Sequence, residues 1–294
     1  MEQKIVAGID FGGTKIKFGL VLESGKILGD TLTLATESAR RGDEIVGTMI
    51  EGIERVVHDS DLTIQQIAGI GIGSPGPLDL KNGIILEAPN LPTLHHFPLK
   101  QTLENYFNLS VAINNDANCF VLGEACFGSA QNASIICGAT LGTGFGCGIV
   151  INHRIFEGST GTAAEVWCSP YTDRNFEEYG SARSITRIYQ QITDQKMNAK
   201  EIYTLAQEND QDAIAAWTEF GLHLGKILAI IANLLDPDVI VIGGSVSHAW
   251  HFFYNSLVEN LHKNINQAPK NHLKVVRAAL GDNAGVLGAA ALLL

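Results

Sequence analysis

The chain has 294 residues, with 20 basic and 31 acidic side chains and a formal net charge of −11. That acidic balance argues against a nucleic-acid or anionic-membrane binder, both of which draw on clustered Lys and Arg, and a composition 46% apolar and 17% charged excludes a disordered chain. The 31 glycines, about 11% against a usual share of about 7%, accompany only eight prolines, so they belong at tight turns or close approaches to a ligand and not in linkers.

From the N-terminus, Lys4 leads straight into Ile5-Val6-Ala7-Gly8-Ile9-Asp10, an apolar stretch too short for a signal peptide. Lys15 to Leu20 alternates with the period of a half-buried strand; Glu23 to Lys26 reads as a turn and Ile27-Leu28 as the returning strand. From Asp43 to Val57 the apolar residues fall at helical spacing. Ile67 to Ile72 and Val111 to Ile113 read as strands, ending in Gly73 to Pro77 and in Asn114-Asn115-Asp116. Ala213 to Leu235 reads as a long helix closed by Asp236-Pro237, and its most apolar run, broken by Asn233, is too short to span a bilayer. Val239 to Ile242 is a buried-strand run before Gly243-Gly244-Ser245 and a helix with Trp250, Phe253, Tyr254 and Leu257; Asn283 to Leu294 is small and apolar, as in a closely packed helix. This alternation indicates an α/β chain, soluble and cytoplasmic by expectation, with a mixed or parallel sheet and ligand loops at strand ends.

The segment Ile5 to Gly12 has an echo in Ile135 to Gly142 at a constant offset of 130, which also lands Leu20-Val21 on Val150-Ile151. A long-period echo of this kind predicts two lobes on one supersecondary plan, each presenting a glycine hairpin to a shared cleft.

In the first hairpin, Asp10-Phe11-Gly12-Gly13-Thr14, paired glycines let main-chain N–H groups approach phosphate oxygens, Thr14 adds a hydroxyl, and Asp10 suits the Mg²⁺ that accompanies a nucleotide. A plain turn in which Asp10 satisfies nearby amides is the other reading, and this loop alone leaves both open. The second loop, Leu141 to Gly148, superficially resembles a dinucleotide fingerprint, but the strand Gly148 to Ile151 follows where that motif needs a helix, so a phosphate-cradling hairpin fits better. Gly243-Gly244-Ser245 offers N–H groups to a ribose or phosphate. Asn115-Asp116 stands at a strand end before a helix, where Asp is either an N-cap or, beside phosphate loops, a general base for a hydroxyl. Glu165 and Asn90 are able to bond a polyol, or are an ordinary surface carboxylate and a turn amide. Five cysteines without a Cys-x-x-Cys pair argue against a disulfide framework and a cysteine zinc knuckle, and the nine histidines show no His-Glu-x-x-His pattern.

In their order, these segments resemble the ROK family of sugar kinases and sugar-responsive repressors. Asp10 to Lys15 is similar to its first phosphate loop, Leu141 to Gly144 to its second and Val239 to Ser247 to its nucleotide-base loop. Ser74 to Pro77 and Ala88 to Leu91 resemble its sugar-pocket loops; Asn115 to Asn118 with Gly123-Glu124 resembles the segment of its catalytic Asp, and Leu280 to Ala290 its C-terminal signature. The resemblance runs from residue 5 to residue 292. It implies a two-lobed actin-like, ribonuclease H-like ATPase fold with a nucleotide and sugar cleft: a small lobe 1–113 completed by a helix at about 283–294, and a larger lobe 114–282.

It further implies a homodimeric ATP- and Mg²⁺-dependent kinase acting on a hexose hydroxyl, the 6-OH of glucose before N-acetylhexosamines, mannose or fructose. The nucleotide would meet Asp10, Gly12, Gly13, Thr14, Lys15, Gly142, Thr143, Gly144, Gly243 and Gly244. Ser74, Asn90, Asn115, Asp116, Glu165 and Glu177 would meet the sugar, with Asp116 as the base. The family's Glu-x-Gly-His is here Glu165-Val166-Trp167-Cys168, and the cysteine-rich zinc loop that should follow is missing, so no structural zinc is expected. A sensor without catalysis is the competing class. Family repressors place a helix-turn-helix ahead of the first phosphate loop, where this chain has nine residues.

Overall fold

The computed structural model describes residues 3–294. In chain order the elements are β1 Ile5–Phe11, β2 Lys15–Leu22, β3 Ile27–Ala35, α1 Gly42–His58, β4 Gly69–Ser74, β5 Leu78–Asp79, β6 Ile84–Ile85, α2 Leu99–Phe107, β7 Val111–Asn115 and α3 Asp116–Phe127. They continue with β8 Ile135–Leu141, β9 Phe145–Ile151, β10 Arg154–Ile155, β11 Pro170–Tyr171, β12 Arg174–Asn175, α4 Phe176–Gly180, α5 Ala182–Thr193 and α6 Ala199–Gln207. The last are α7 Gln211–Leu235, β13 Val239–Gly243, α8 Trp250–Asn264, α9 Gln267–His272, β14 Lys274–Arg277 and α10 Ala284–Ala291.

Two five-stranded mixed sheets follow one order, β3-β2-β1-β4-β7 and β10-β9-β8-β13-β14. In the first, β1 pairs antiparallel with β2 and parallel with β4; in the second, β8 pairs parallel with β13. β1 and β8 share the same burial sequence along seven residues. The echo therefore reflects a repeated sheet plan, with one correction. The first hairpin closes through Gly12 N to Lys15 O at 2.9 Å, the second through Gly142 N to Gly144 O at 3.0 Å. The second hairpin closes one residue earlier on its returning strand, so Leu20-Val21 correspond to Ile149-Val150, at offset 129, and not to Val150-Ile151.

The chain folds as two compact units, one of residues 1–132, 148–163 and 279–294, the other of 133–147 and 164–278. The first unit extends past the boundary expected at 113, because α3 packs on the C-terminal α10. A Cβ on Gly288 would overlap the Cys119 carbonyl, and one on Gly71 of β4 the Ala289 carbonyl. Much of the glycine excess thus serves backbone-to-backbone packing of helix on sheet and helix on helix, and not the ligand approaches expected of it. In the second unit α7 is long and apolar enough to cross a membrane, but Trp217, Phe220, Leu224, Ile227 and Leu228 along it are buried in the unit's own core.

Candidate active site

In the first unit, the parallel strands β1, β4 and β7 end together. Asp10 is in register with Gly73, and Gly73 with Asn114. Neighbouring strands lie about 4.8 Å apart, so the last residues of three strands form one rim. Gly73 sits in a tight spot: a Cβ there would lie 3.1 Å from Cys119 Cβ and 3.6 Å from Asp116 Cα. Asp10 and Asp116 flank the buried Cys119, and burial first, then these two carboxylates, push its thiol well above the usual range.

Asp116 opens α3, but the N-cap is Asn115, whose Oδ1 accepts from Ala117 N at 2.9 Å and Asn118 N at 3.3 Å. The capping role weighed for Asp116 thus belongs to its neighbour, while Asp116 Oδ1 accepts from Ala117 N at 2.8 Å. Asn114, buried behind them, receives Asn115 N and Asn118 Nδ2 on its oxygen and donates to Glu157 Oε1 at 2.8 Å.

The first hairpin is tied down from β3. Thr36, buried at its end, donates its hydroxyl to Gly12 O at 2.6 Å, and its N–H meets Thr14 O at 2.9 Å. A Cβ on Gly13 would lie 3.0 Å from both Asn90 Cβ and Asn90 O, which places an expected sugar contact against the hairpin tip. Asp10 lies behind the hairpin with Gly285 over its carboxylate, where a Cβ would come 2.6 Å from Asp10 Cγ. Burial raises the Asp10 carboxyl above its ordinary value; Lys15 and Lys17 pull the other way, and Asp282 adds to the rise. A hard divalent cation takes carboxylate oxygens of this kind, so Asp10 fits the ion that accompanies a nucleotide. Among the described residues no cluster of three or more His, Cys, Asp and Glu suits a metal ion. Ser74 is fully buried and turns its hydroxyl to Pro75 O at 3.1 Å, so it supports the loop after β4 from beneath.

In the second unit, Gly142 to Gly144 meets the turn after β13. Gly244, at φ +79°, packs against the Leu141 backbone with no space for a Cβ, and Ser245 Oγ lies 3.7 Å from a Cβ built on Gly142. A short 3₁₀ turn, Ser245–Ala249, separates this loop from α8. The main-chain N–H groups of Gly142 and Phe145 are used inside the unit, on Gly144 O and on Glu177 Oε2 at 3.3 Å. Glu177 N in turn bonds Trp167 O at 3.1 Å, and Phe176 N bonds Ser169 O at 3.0 Å. The segment holding Glu165 thus hangs from the start of α4. Glu165 is exposed, accepts from Trp167 Nε1 at 2.8 Å, and follows Ala164, whose φ of +69° is uncommon for a residue with a Cβ.

The ROK family profile matches residues 6–294. The chain belongs to the ROK family. A Thermotoga maritima glucokinase is 30% identical over 317 aligned residues that cover 100% of this chain and 98% of its own. An N-acetyl-D-glucosamine kinase of Vibrio cholerae is also 30% identical, covering 96% and 97%. The crystal structure of a ROK family glucokinase from Streptomyces griseus, in complex with glucose and AMPPNP, superposes with a TM-score of 0.82 at 30% identity over 98% of each chain.

In this ROK chain the residues after Cys168 form a two-stranded hairpin, β11–β12, with Pro170 opposite Asn175 and Tyr171 opposite Arg174. Asn175 caps α4 by accepting from Glu178 N at 2.9 Å. Tyr171 packs edge-on against Phe176, Tyr179 and His223, and its hydroxyl shares a 3.1 Å hydrogen bond with His223 Nδ1. Cys168 is exposed, its thiol 3.8 Å from Glu165 O.

Proposed function

We propose that this chain is an ATP-dependent sugar kinase that moves the γ-phosphoryl group of ATP to a hexose hydroxyl, the 6-OH of glucose first among them. The reading is carried by the strand rim of the first unit, where Asp10, beside the first glycine hairpin, and Asp116, at the mouth of the same sheet, flank one glycine. Phosphoryl transfer asks for a positioned acceptor, a metal-bound phosphate and charge-stabilising donors. Relatives at 30% identity named glucokinase and N-acetyl-D-glucosamine kinase support the class and leave two sugar types in view.

In this mechanism main-chain N–H groups of the glycine hairpins would hold the phosphates, and Asp10 would be the protein oxygen donor to a Mg²⁺ ion, which when bound supplies charge neutralisation. Asn90, Asn115, Glu165 and Glu177 orient the sugar. Asp116 accepts the proton of the attacking hydroxyl as its oxygen bonds to phosphorus and ADP departs, so one O–P bond forms while another breaks. Positioned general-base assistance is worth about 10²–10⁴ in rate. Asp116→Asn is therefore expected to keep AMP-PNP binding and lose at least about a hundredfold in kcat. A coupled assay of ADP release with Mg·ATP and glucose, mannose, fructose, N-acetylglucosamine or N-acetylmannosamine tests the reading. ADP release with at least one sugar supports it; sugar binding without ADP release for any of them favours the sensor instead.

A further inference from the structure

Glu177 puts negative charge where a phosphate-binding loop has least use for it. Its Oε2 lies 3.3 Å from Phe145 N, and a Cβ built on Gly144 would come 2.7 Å from the same oxygen, so the carboxylate is packed against the tip of the second hairpin. A phosphate held by Thr143 and Gly144 N–H groups would face that charge across a few ångströms. The compensating cation is Arg183, whose Nη1 lies 3.2 Å from Glu177 Oε1 and 3.3 Å from Glu178 Oε1. Arg183 does not reach the spot by chance of rotamer alone. It is the second residue of α5, its N–H bonds the Ser181 cap at 3.3 Å, and the residue before it, Ala182, donates its N–H to Gly142 O at 2.9 Å. The helix start that bears the guanidinium is thus fastened to the hairpin it serves, in the same unit.

We propose that the Glu177–Arg183 pair sets the affinity of the second hairpin for nucleotide phosphates, with Arg183 as a positioning residue that neutralises a carboxylate needed to hold Phe145 N–H. The inference rests on the phosphate-binding reading of that hairpin. Charge balance gives it a signature that packing does not. Removing Arg183 alone leaves Glu177 opposing the phosphates, so binding weakens. Removing both charges by adding Glu177→Gln, which keeps a side-chain oxygen for Phe145 N–H, restores it. An arginine that merely braced α5 would give no such restoration.

The test is calorimetric binding of Mg·AMP-PNP, without sugar, to the full chain and its Arg183→Ala, Glu177→Gln and doubly substituted forms. Circular dichroism melts verify folding, and Arg183→Gln serves as a second uncharged variant. At low salt Arg183→Ala is expected to raise Kd about 3- to 10-fold, the double variant to return within about twofold of the wild type, and the penalty to shrink at about 0.5 M NaCl. A double variant as weak as Arg183→Ala, or an Arg183→Ala protein that binds like the wild type, overturns the pair's role. Failure of the wild type to bind Mg·AMP-PNP overturns the hairpin reading and the pair with it. The sugar panel, run without these variants, judges phosphoryl transfer on its own.

Discussion

At the scale of single residues, the geometry around Asp10 separates stability from function. Gly285 is the second residue of α10, where alanine would ordinarily favour the helix by up to about 1 kcal/mol. Here its Cβ would come 2.6 Å from Asp10 Cγ, so the short carboxylate must shift from its place beside the hairpin. Gly285→Ala is therefore expected to leave the melting temperature within a few degrees of the wild type while kcat/KM for ATP falls more than about tenfold. An unchanged kcat/KM would detach Asp10 from the nucleotide. The sequence makes Asp10, Asp116 and the glycines legible because each stands in a short run whose chemistry needs that residue type. Thr36, which holds Gly12 O, and Glu157, which holds Asn114, give no such signal. Each is an ordinary residue in its own neighbourhood and reaches the site only through a contact distant in sequence.

Among the elements, α3 is joined to the segment leading into α10 by a carboxylate with no solvent exposure. Glu124 accepts from Ser129 N and Ser129 Oγ, both at 2.8 Å, and from Ala279 N and Leu280 N, both at 2.9 Å, which pins the start of the C-terminal segment to α3. Glu124→Ala strands four donors and opens a cavity at once, a loss of about 3–5 kcal/mol. Thermal denaturation should register it as a fall of roughly 10 °C.

The hairpin after Cys168 offers a pH test of a different element contact. Burial, then the charges of Lys226 and Arg187, hold His223 down to about 4, while burial and Tyr179 push its partner Tyr171 up to about 12. The unfolded chain, with a His pKa near 6.5, binds the proton that the folded chain refuses between about pH 6.5 and 4. Stability contributed by neutral His223 is thus whole above pH 6.5 and falls as pH drops toward 4, by up to about 3 kcal/mol. Asp173 and Asp238 are held low by their hydrogen bonds and also weaken the fold in acid, so the difference between variants isolates the histidine. His223→Gln should flatten the curve of urea-unfolding free energy against pH within that window. A curve parallel to the wild type's would remove His223 as its cause.

For the whole molecule, the repeated order of the two sheets explains why so much of the fold is visible in the sequence. β1 and β8 repeat both apolar pattern and glycine turn, and the long runs α1 and α7 keep helical period throughout. What stays hidden is whatever depends on pairing at a distance. A one-residue difference in where the hairpin closes shifts the second strand of the repeat, and α3 joins the first unit because glycines let its backbone meet α10. The same plan also gives each unit one matching contact: Asn90 against Gly13 in one, Glu177 against Gly144 in the other. A sugar held by either residue restrains the hairpin tip it touches, and a nucleotide on that hairpin restrains the residue in return. Binding of the two ligands should then be coupled, by about 5- to 150-fold where such coupling is typical, and equally in both directions. Calorimetry of AMP-PNP with and without saturating glucose, and of glucose with and without AMP-PNP, measures both factors. Asn90→Ala should lower both together. Dissociation constants indifferent to the second ligand would mean that the hairpin tips do not transmit occupancy.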